Sequence, residues 1–413
     1  MHKVKDWFLH NSVILLFTIL CIGGIAVSGQ PLSFVLDELM LRIARNSFLV
    51  LALIIPIIAG MGLNFGIVMG AMAGQIALLM VIDWGMTGIV GFIVAVLIST
   101  PFAILFGYLI GLLLNKTKGQ EMITGMIAGY FSNGLYQLLF LFLIGAVIPL
   151  KTANLLVSTG VGVKNTLDLN ENMKYALDGL WKMPFPKTLL FFLILLIAVN
   201  IIKMAYKAIR FKTFDKKDLL KPAIYIGIIL LQEIVLQNEM MSFTLNYITV
   251  PVATMIVIGF LCVFNNFILK TKLGQDFRTV GQNMHVANAA GINVDKVRIK
   301  AIIISTVLAA WGQLIFLQNI GTLNTYGSHE QVGMFASAAI LIGGATITRA
   351  TNKEALLGVV LFHTLFIVSP QAGQHLFNNA QIGEYFRVFV AYAVICVSLA
   401  LYAWKHVQAS RKA

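Results

Sequence analysis

Six side-chain amides fall within or at the edge of long apolar runs: Asn64, Gln75, Asn133, Gln137, Gln313 and Asn319. A polar group in such a run costs free energy unless it faces protein or a water-filled path. Amides offer donors and acceptors without charge, so the set suits contact with a neutral, hydroxyl-rich solute. Taken singly, each is better explained as an interhelical hydrogen bond. The ionisable residues nearest to apolar runs are Glu121, Glu233 and His363. A proton relay through a membrane needs a chain of such groups. Glu121 follows Lys116 and Lys118 at a helix start, where a carboxylate is favourable anyway, and the other two form no evident chain. There is no G-x-x-x-x-G-K-[ST] segment, so any ATP hydrolysis must come from another polypeptide. His329-Glu330 lacks the second His of H-E-x-x-H, and no G-x-S-x-G occurs. The chain thus reads as non-catalytic, with no metal site.

The elements that position these residues must be membrane helices. Of 413 residues, 59% are apolar and 11% charged, and mean hydropathy is +0.87. That leaves too few polar residues to solvate a globule of this size. The apolar runs are continuous and longer than the alternating segments of an outer-membrane barrel. The net charge of +13 comes from Lys and Arg concentrated between the runs, which the positive-inside rule explains without nucleic acid. Cys21, Cys262 and Cys396 all lie inside apolar runs and act as small packing residues. At the N-terminus, Lys3 and Lys5 precede an apolar run from Val13 to Val27, with Ala26 and Ser28 spaced like a cleavage site. An uncleaved first helix is favoured, because its removal leaves an odd number of spans. Cys21 follows Leu20, not the small residue of a lipoprotein site.

The sequence predicts an all-α polytopic membrane protein of about ten to twelve transmembrane helices, some short or broken, in a single domain over 1–413. Spans are expected at 12–29, 47–64, 66–82, 87–114, 122–148, 187–206, 222–240, 250–270, 299–318, 333–348, 355–370 and 385–404. With both termini in the cytoplasm, only Arg42, Arg45, Lys151, Lys164, Lys174, Lys182, Lys187 and Arg387 of the 30 Lys and Arg lie outside. Segments 333–348 and 355–370 are short and broken by Gly343-Gly344, so either suits a half-helix. Segment 222–240 carries Gln232, Glu233, Gln237 and Asn238 in its outer half, and either dips in or crosses. Between spans lie an external loop, 149–186, suited to a short amphipathic helix, and a basic cytoplasmic loop, 203–221, read as a topology anchor. A polar, basic cytoplasmic segment follows at 271–298.

Gly66, Gly70 and Gly74 fall four apart, so they share one helix face and allow a neighbouring backbone close. Gly107 and Gly111, then Gly125 and Gly129, repeat the spacing. Tight packing alone explains most of these. Smooth faces can also slide as a cavity opens.

Three segments carry a family resemblance. LGQDFRTVGQNMHVANAAGINVDKVRIKAIIIS, 273–305, resembles the coupling segment and following helix of permease subunits of bacterial ABC importers of the ribose, autoinducer and nucleoside type, within the branched-chain-type permease family. GMGLNFGIVMGAMAGQIALLM, 60–80, is similar to their Gly-rich early helix. GMFASAAILIGGATITRATNKEALLGVVLF, 333–362, is similar to their half-helix ending in paired glycines. The chain departs from the pattern at 150–246, which inserts two extra hydrophobic segments, and in TITRATNKEALLG, which is more polar than usual. The resemblance implies a bacterial cytoplasmic (inner) membrane protein, and the Lys and Arg asymmetry puts both termini in the cytoplasm. It implies a homodimer or heterodimer with a second permease subunit, an ABC ATPase that uses ATP and Mg, and an external substrate-binding protein. It assigns Gly281, Asn283, Ala287, Ala290, Gly291 and Asn293 to ATPase coupling, binds no cofactor to this chain, and makes ribose-like sugars or nucleosides the expected solutes. An ion-coupled secondary transporter or facilitator remains the alternative. A membrane-embedded enzyme or lipid flippase would need clustered catalytic residues, which the sequence lacks.

Overall fold

A computed structural model describes residues 12–158, 160–171, 173–211 and 219–412, so the middle of the basic loop 203–221 lies outside the described residues. Helix α1 (Ser12–Ser28) is followed by α2 (Leu32–Leu51), which passes through one tight turn into α3 (Ile54–Ile58). After a non-helical stretch come α4 (Ile67–Asp83), α5 (Gly88–Lys116) and α6 (Glu121–Leu138), the last ending in a π-helical turn, Leu139–Leu143. A long connection holds strands β1 (Thr166–Asp168) and β2 (Lys182–Pro184). Helices α7 (Phe185–Phe211), α8 (Leu220–Leu236) and α9 (Glu239–Tyr247) lead to β3 (Thr249–Pro251). Then follow α10 (Val252–Ile268), α11 (Lys272–Gln282), α12 (Met284–Ala289), α13 (Val294–Ile320), β4 (Thr322–Asn324), α14 (Val332–Ile342), α15 (Asn352–Phe377) and α16 (Ala380–Lys412). Among the described residues, seven helices are long and apolar enough to cross a membrane, or nine if two bent pairs each count as one span. Three shorter apolar helices, α1, α4 and α14, complete an all-α polytopic membrane architecture.

Helix α13 forms the centre, packed against α2, α4 and α5. Its close approach depends on glycine. A Cβ on Gly70 would stand 2.4 Å from the Thr306 carbonyl oxygen, one on Gly74 2.7 Å from that of Ala310, and one on Gly107 2.9 Å from Ile303 Cα. Gly66 lies just ahead of α4, so the shared face begins at Gly70. A second layer brings α15 against α1, α2, α14 and α16. Here Gly343 and Gly358 interlock α14 with α15, since a Cβ on either would stand 1.8 Å from a backbone oxygen of the other helix. Helix α14 stops at Gly343-Gly344 after 11 residues, a rise of about 16 Å, half a bilayer.

Three expectations need correction. The span expected at 47–64 begins at Leu32 and ends at Ile58, and the chain from Ala59 to Gly66 is not helical. The apolar run is masked by Asp37, Glu38, Arg42 and Arg45. Glu38 Oε1 accepts from Arg42 Nε at 2.8 Å and Arg45 Nη2 at 3.3 Å, so the charges compensate within the helix. Arg42 and Arg45 are therefore helical residues, not loop anchors. Segment 355–370 belongs to the full-length α15, which continues past Pro370. Proline cannot donate to the Phe366 carbonyl one turn back, and Arg387 Nη1 on α16 does so instead, at 3.1 Å.

Segment 149–186 forms no amphipathic α-helix among its described residues. Gly160 and Gly162 have positive φ, and the buried Leu167 and Leu169 alternate with exposed neighbours as a strand requires. β1 pairs with β4 and β2 with β3, both antiparallel, which ties this segment over one end of the helices. Segment 222–240 packs against α7, with Gln232 Nε2 donating to the Pro186 carbonyl. It then bends 112° into α9, where the Asn238 side chain accepts from Met241 N. It therefore returns to the β2 end of α7 before it bends.

Candidate translocation path and coupling segment

The turn after β4 carries His329 into the core between α4 and α6. His329 is fully buried, with Nδ1 2.8 Å from Gln75 Oε1 and Nε2 2.8 Å from Asn133 Oδ1. The Tyr136 ring packs on it at 4.8 Å between centroids. Asn133 Nδ2 donates to Glu330 Oε1 at 2.8 Å. This last bond fixes the direction of the chain. Asn133 must present its oxygen to His329, so Nε2 carries the proton and Nδ1 accepts, which calls for the Gln75 amide nitrogen there; an amide flip supplies it. In the opposite orientation Gln75 Nε2 has no partner. Burial pushes the His329 imidazole down to about 4, which keeps it neutral near physiological pH.

Glu330 opens onto a cleft of about 240 Å³ beside α6, walled by Phe65, Met126, Tyr130, Asn133, Gln331 and Tyr392 among others. A second cavity, about 310 Å³, lies between α2, α13, α14 and α15 and is lined by Asn46, Phe316, Asn324, Ser328, Gln331 and His363 among others. Gln331 lines both, and neither is lined by Lys or Arg.

Of the six amides, the structure brings three to this turn. Gln75 and Asn133 meet through His329, and Gln313 Nε2 holds the turn by donating to the Ser328 carbonyl at 3.1 Å. Asn64 sits in the non-helical stretch after α3 and donates to Ser305 Oγ at 3.1 Å, with its Oδ1 left without a partner. Asn319 donates to the buried Asp178 at 2.6 Å, and Thr254 donates to the other oxygen of that carboxylate. That trio anchors segment 149–186 to α10 and α13. Gln137 is half-buried on α6 and lines neither cavity. His329 and Glu330, which join these amides, were not singled out by the sequence. Their signal was two ionisable residues placed directly ahead of a short apolar half-helix.

At the opposite end, the six residues expected to couple to an ATPase lie on and beside α11 and α12, and they differ in their surroundings. Gly281 faces inward: a Cβ there would stand 2.1 Å from the Ile58 carbonyl oxygen, and one on Gly60 2.6 Å from Gly281 Cα. Ala287 is buried in one cluster with Ile55, Ala59, Met61, Phe277 and Val297. Asn283 caps α12 by accepting from the His285 and Val286 amides, and Asn293 caps α13 by accepting from Lys296 N. Ala290 and Gly291 are exposed beside Val286, and a Cβ on Gly291 would meet nothing within 4 Å.

A buried ion pair clamps this end. Arg298 Nη2 donates to Glu121 Oε1 at 2.6 Å and to the Leu114 carbonyl, which joins the starts of α6 and α13 to the end of α5.

Residues 35–399, nearly the whole bundle, match the family of branched-chain amino acid transport system/permease components. The chain belongs to that family. This permease is 31% identical over 117 residues to the probable ABC transporter permease protein YphD of Escherichia coli K12, covering 28% of this chain and 35% of that one. It is 28% identical over 169 residues to the xylose transport system permease protein XylH of Haemophilus influenzae, covering 41% and 42%. It is 35% identical over 95 residues to the autoinducer 2 import system permease protein LsrC of Yersinia enterocolitica, covering 22% and 26%. The matched stretches thus span less than half of each relative. No solved structure matches the permease.

Proposed function

We propose that the chain is the transmembrane permease subunit of an ATP-driven ABC importer for a small polar solute, a simple ribose-like sugar or a nucleoside. It would sit in the bacterial inner membrane with both termini cytoplasmic. Its partners would be an ABC ATPase that uses ATP and Mg, an external substrate-binding protein and a second permease subunit. The observation that carries this reading is the contact of Gly281 with Ile58 and Gly60. It joins the coupling segment, backbone to backbone, to the non-helical stretch that holds Asn64. In this reading the ATPase grips the exposed rim at Ala290 and Gly291. Displacement of α11 then moves residues 59–66, and with them the buried amide beside Ser305. Two states of different ATPase contact are all that such coupling requires.

An ion-coupled carrier is the second reading, favoured by the hydrogen-bonded chain from Glu330 to Gln75. The chain belongs to a family of transport-system permease components, so the ATP-driven reading is preferred. Reconstituted with its ATPase and binding protein, the permease should show hydrolysis stimulated by solute-loaded binding protein. Uptake that follows an ion gradient without ATP would reject the proposal.

A further inference from the structure

Among the described residues, Glu330 is the one carboxylate lining the cleft beside α6, and no Lys or Arg accompanies it. It is exposed, yet it is held in place. Asn133 donates to Oε1, His329 holds the Asn133 oxygen, and Gln75 holds the far side of the imidazole. An ionised carboxylate offers about four lone-pair sites, and Asn133 occupies one of them. Within the described structure no protein donor meets Oε2. Tyr130 and Tyr392, 68% and 46% exposed, line the same cleft and offer ring faces.

A carboxylate with no cation beside it repels anions and is free to accept hydrogen bonds from a solute's hydroxyls. Two adjacent hydroxyls on a ring match the two oxygens of one carboxylate, as in the acidic residue that binds a nucleotide ribose. The geometry points to Glu330, positioned by Asn133, as the specificity-determining acceptor for a vicinal diol on a neutral, ring-shaped solute, with Tyr130 and Tyr392 against the ring. The class is a free pentose or nucleoside with its diol intact, not a sugar phosphate, whose anionic group the carboxylate repels. The inference rests on the importer reading and narrows it.

The test uses proteoliposomes that hold the permease with its ATPase and binding protein, and ribose against 2-deoxyribose and adenosine against 2′-deoxyadenosine as probes. The other subunits are the same in every preparation, so a change in the ratio of diol to deoxy uptake belongs to the cleft. Glu330→Gln should lower that ratio roughly tenfold or more, the scale of a hydrogen bond to a charged acceptor, mostly through KM. Glu330→Asp should recover part of it, and Asn133→Ala should shift it the same way as Glu330→Gln. An unchanged ratio in Glu330→Gln, equal loss on diol and deoxy solutes, or failure of the wild type to take up either diol would each overturn the inference. Hydrolysis stimulated by some other solute in that last case would leave the importer reading standing.

Discussion

Gln75, Asn133 and His329 come from α4, α6 and the turn after β4, and their hydrogen bonds join residues about two hundred or more positions apart. The sequence singled out both amides because they interrupt apolar runs. Nothing local marked His329 as their bridge, since its partners are set by helix packing. Its buried neutral state has a pH consequence. With a folded value of about 4, below the ordinary 6.5, the unfolded chain takes up a proton before the folded one does. The stability this contributes is complete above about 6.5 and is lost as pH falls toward about 4. Thermal unfolding of the detergent-solubilised permease between pH 7 and pH 4 should therefore show a steeper loss for wild type than for His329→Gln. Equal slopes would mean that the imidazole is not buried neutral. Arg298, 1% exposed in its side chain, is another residue whose role the sequence concealed, because it counted only as one more cytoplasmic charge. Glu121→Gln leaves it without its buried counter-ion and should cost about 3–5 kcal/mol of stability. Replacing both, as Glu121→Leu with Arg298→Met, should recover much of that. A double variant no better than the single one would contradict a paired, desolvated charge.

At the scale of elements, the proposed coupling segment separates into an exposed rim and an inward contact, and the two can be tested apart. Gly291→Trp adds a bulky side chain in open space at a position with φ of +79°. It should leave the permease inserted and paired, but abolish ATPase binding in co-purification and with it the stimulated hydrolysis. Gly281→Ala places a methyl against the Ile58 carbonyl. It should keep the ATPase bound while uncoupling hydrolysis from uptake. Loss of ATPase binding in Gly281→Ala, or its retention in Gly291→Trp, would reverse the assignment. The position of this segment was legible from its polar, basic composition inside an apolar chain. Its inward face was not, because the glycine that meets Gly281 lies on a stretch expected to be helical. The half-helix α14 was legible from Gly343-Gly344, whereas the continuation of α15 past Pro370 depends on Arg387 from α16.

At the scale of the whole molecule, most apolar segments were recognisable because each is long enough to be unambiguous. The second span was displaced by its internal ion pairs, and the external segment proved strand-like because its pairing partners β3 and β4 lie far along the chain. The proposed orientation follows from Lys and Arg asymmetry. In a background with Cys21, Cys262 and Cys396 replaced, single cysteines at Lys174 and at Lys216, the latter outside the described residues, should react with an impermeant thiol reagent from opposite sides. Labelling of both from one side would break the orientation. The central claim is that this permease is driven by a separate ATPase through the contact of Gly281 with Gly60. The most direct measurement is uptake per ATP hydrolysed by the complete complex in sealed proteoliposomes, wild type against Gly281→Ala. The expected result is ATP-dependent uptake by wild type, with the ratio falling sharply in the variant while hydrolysis persists. An unchanged ratio, or wild-type uptake that needs no ATP, would contradict the account.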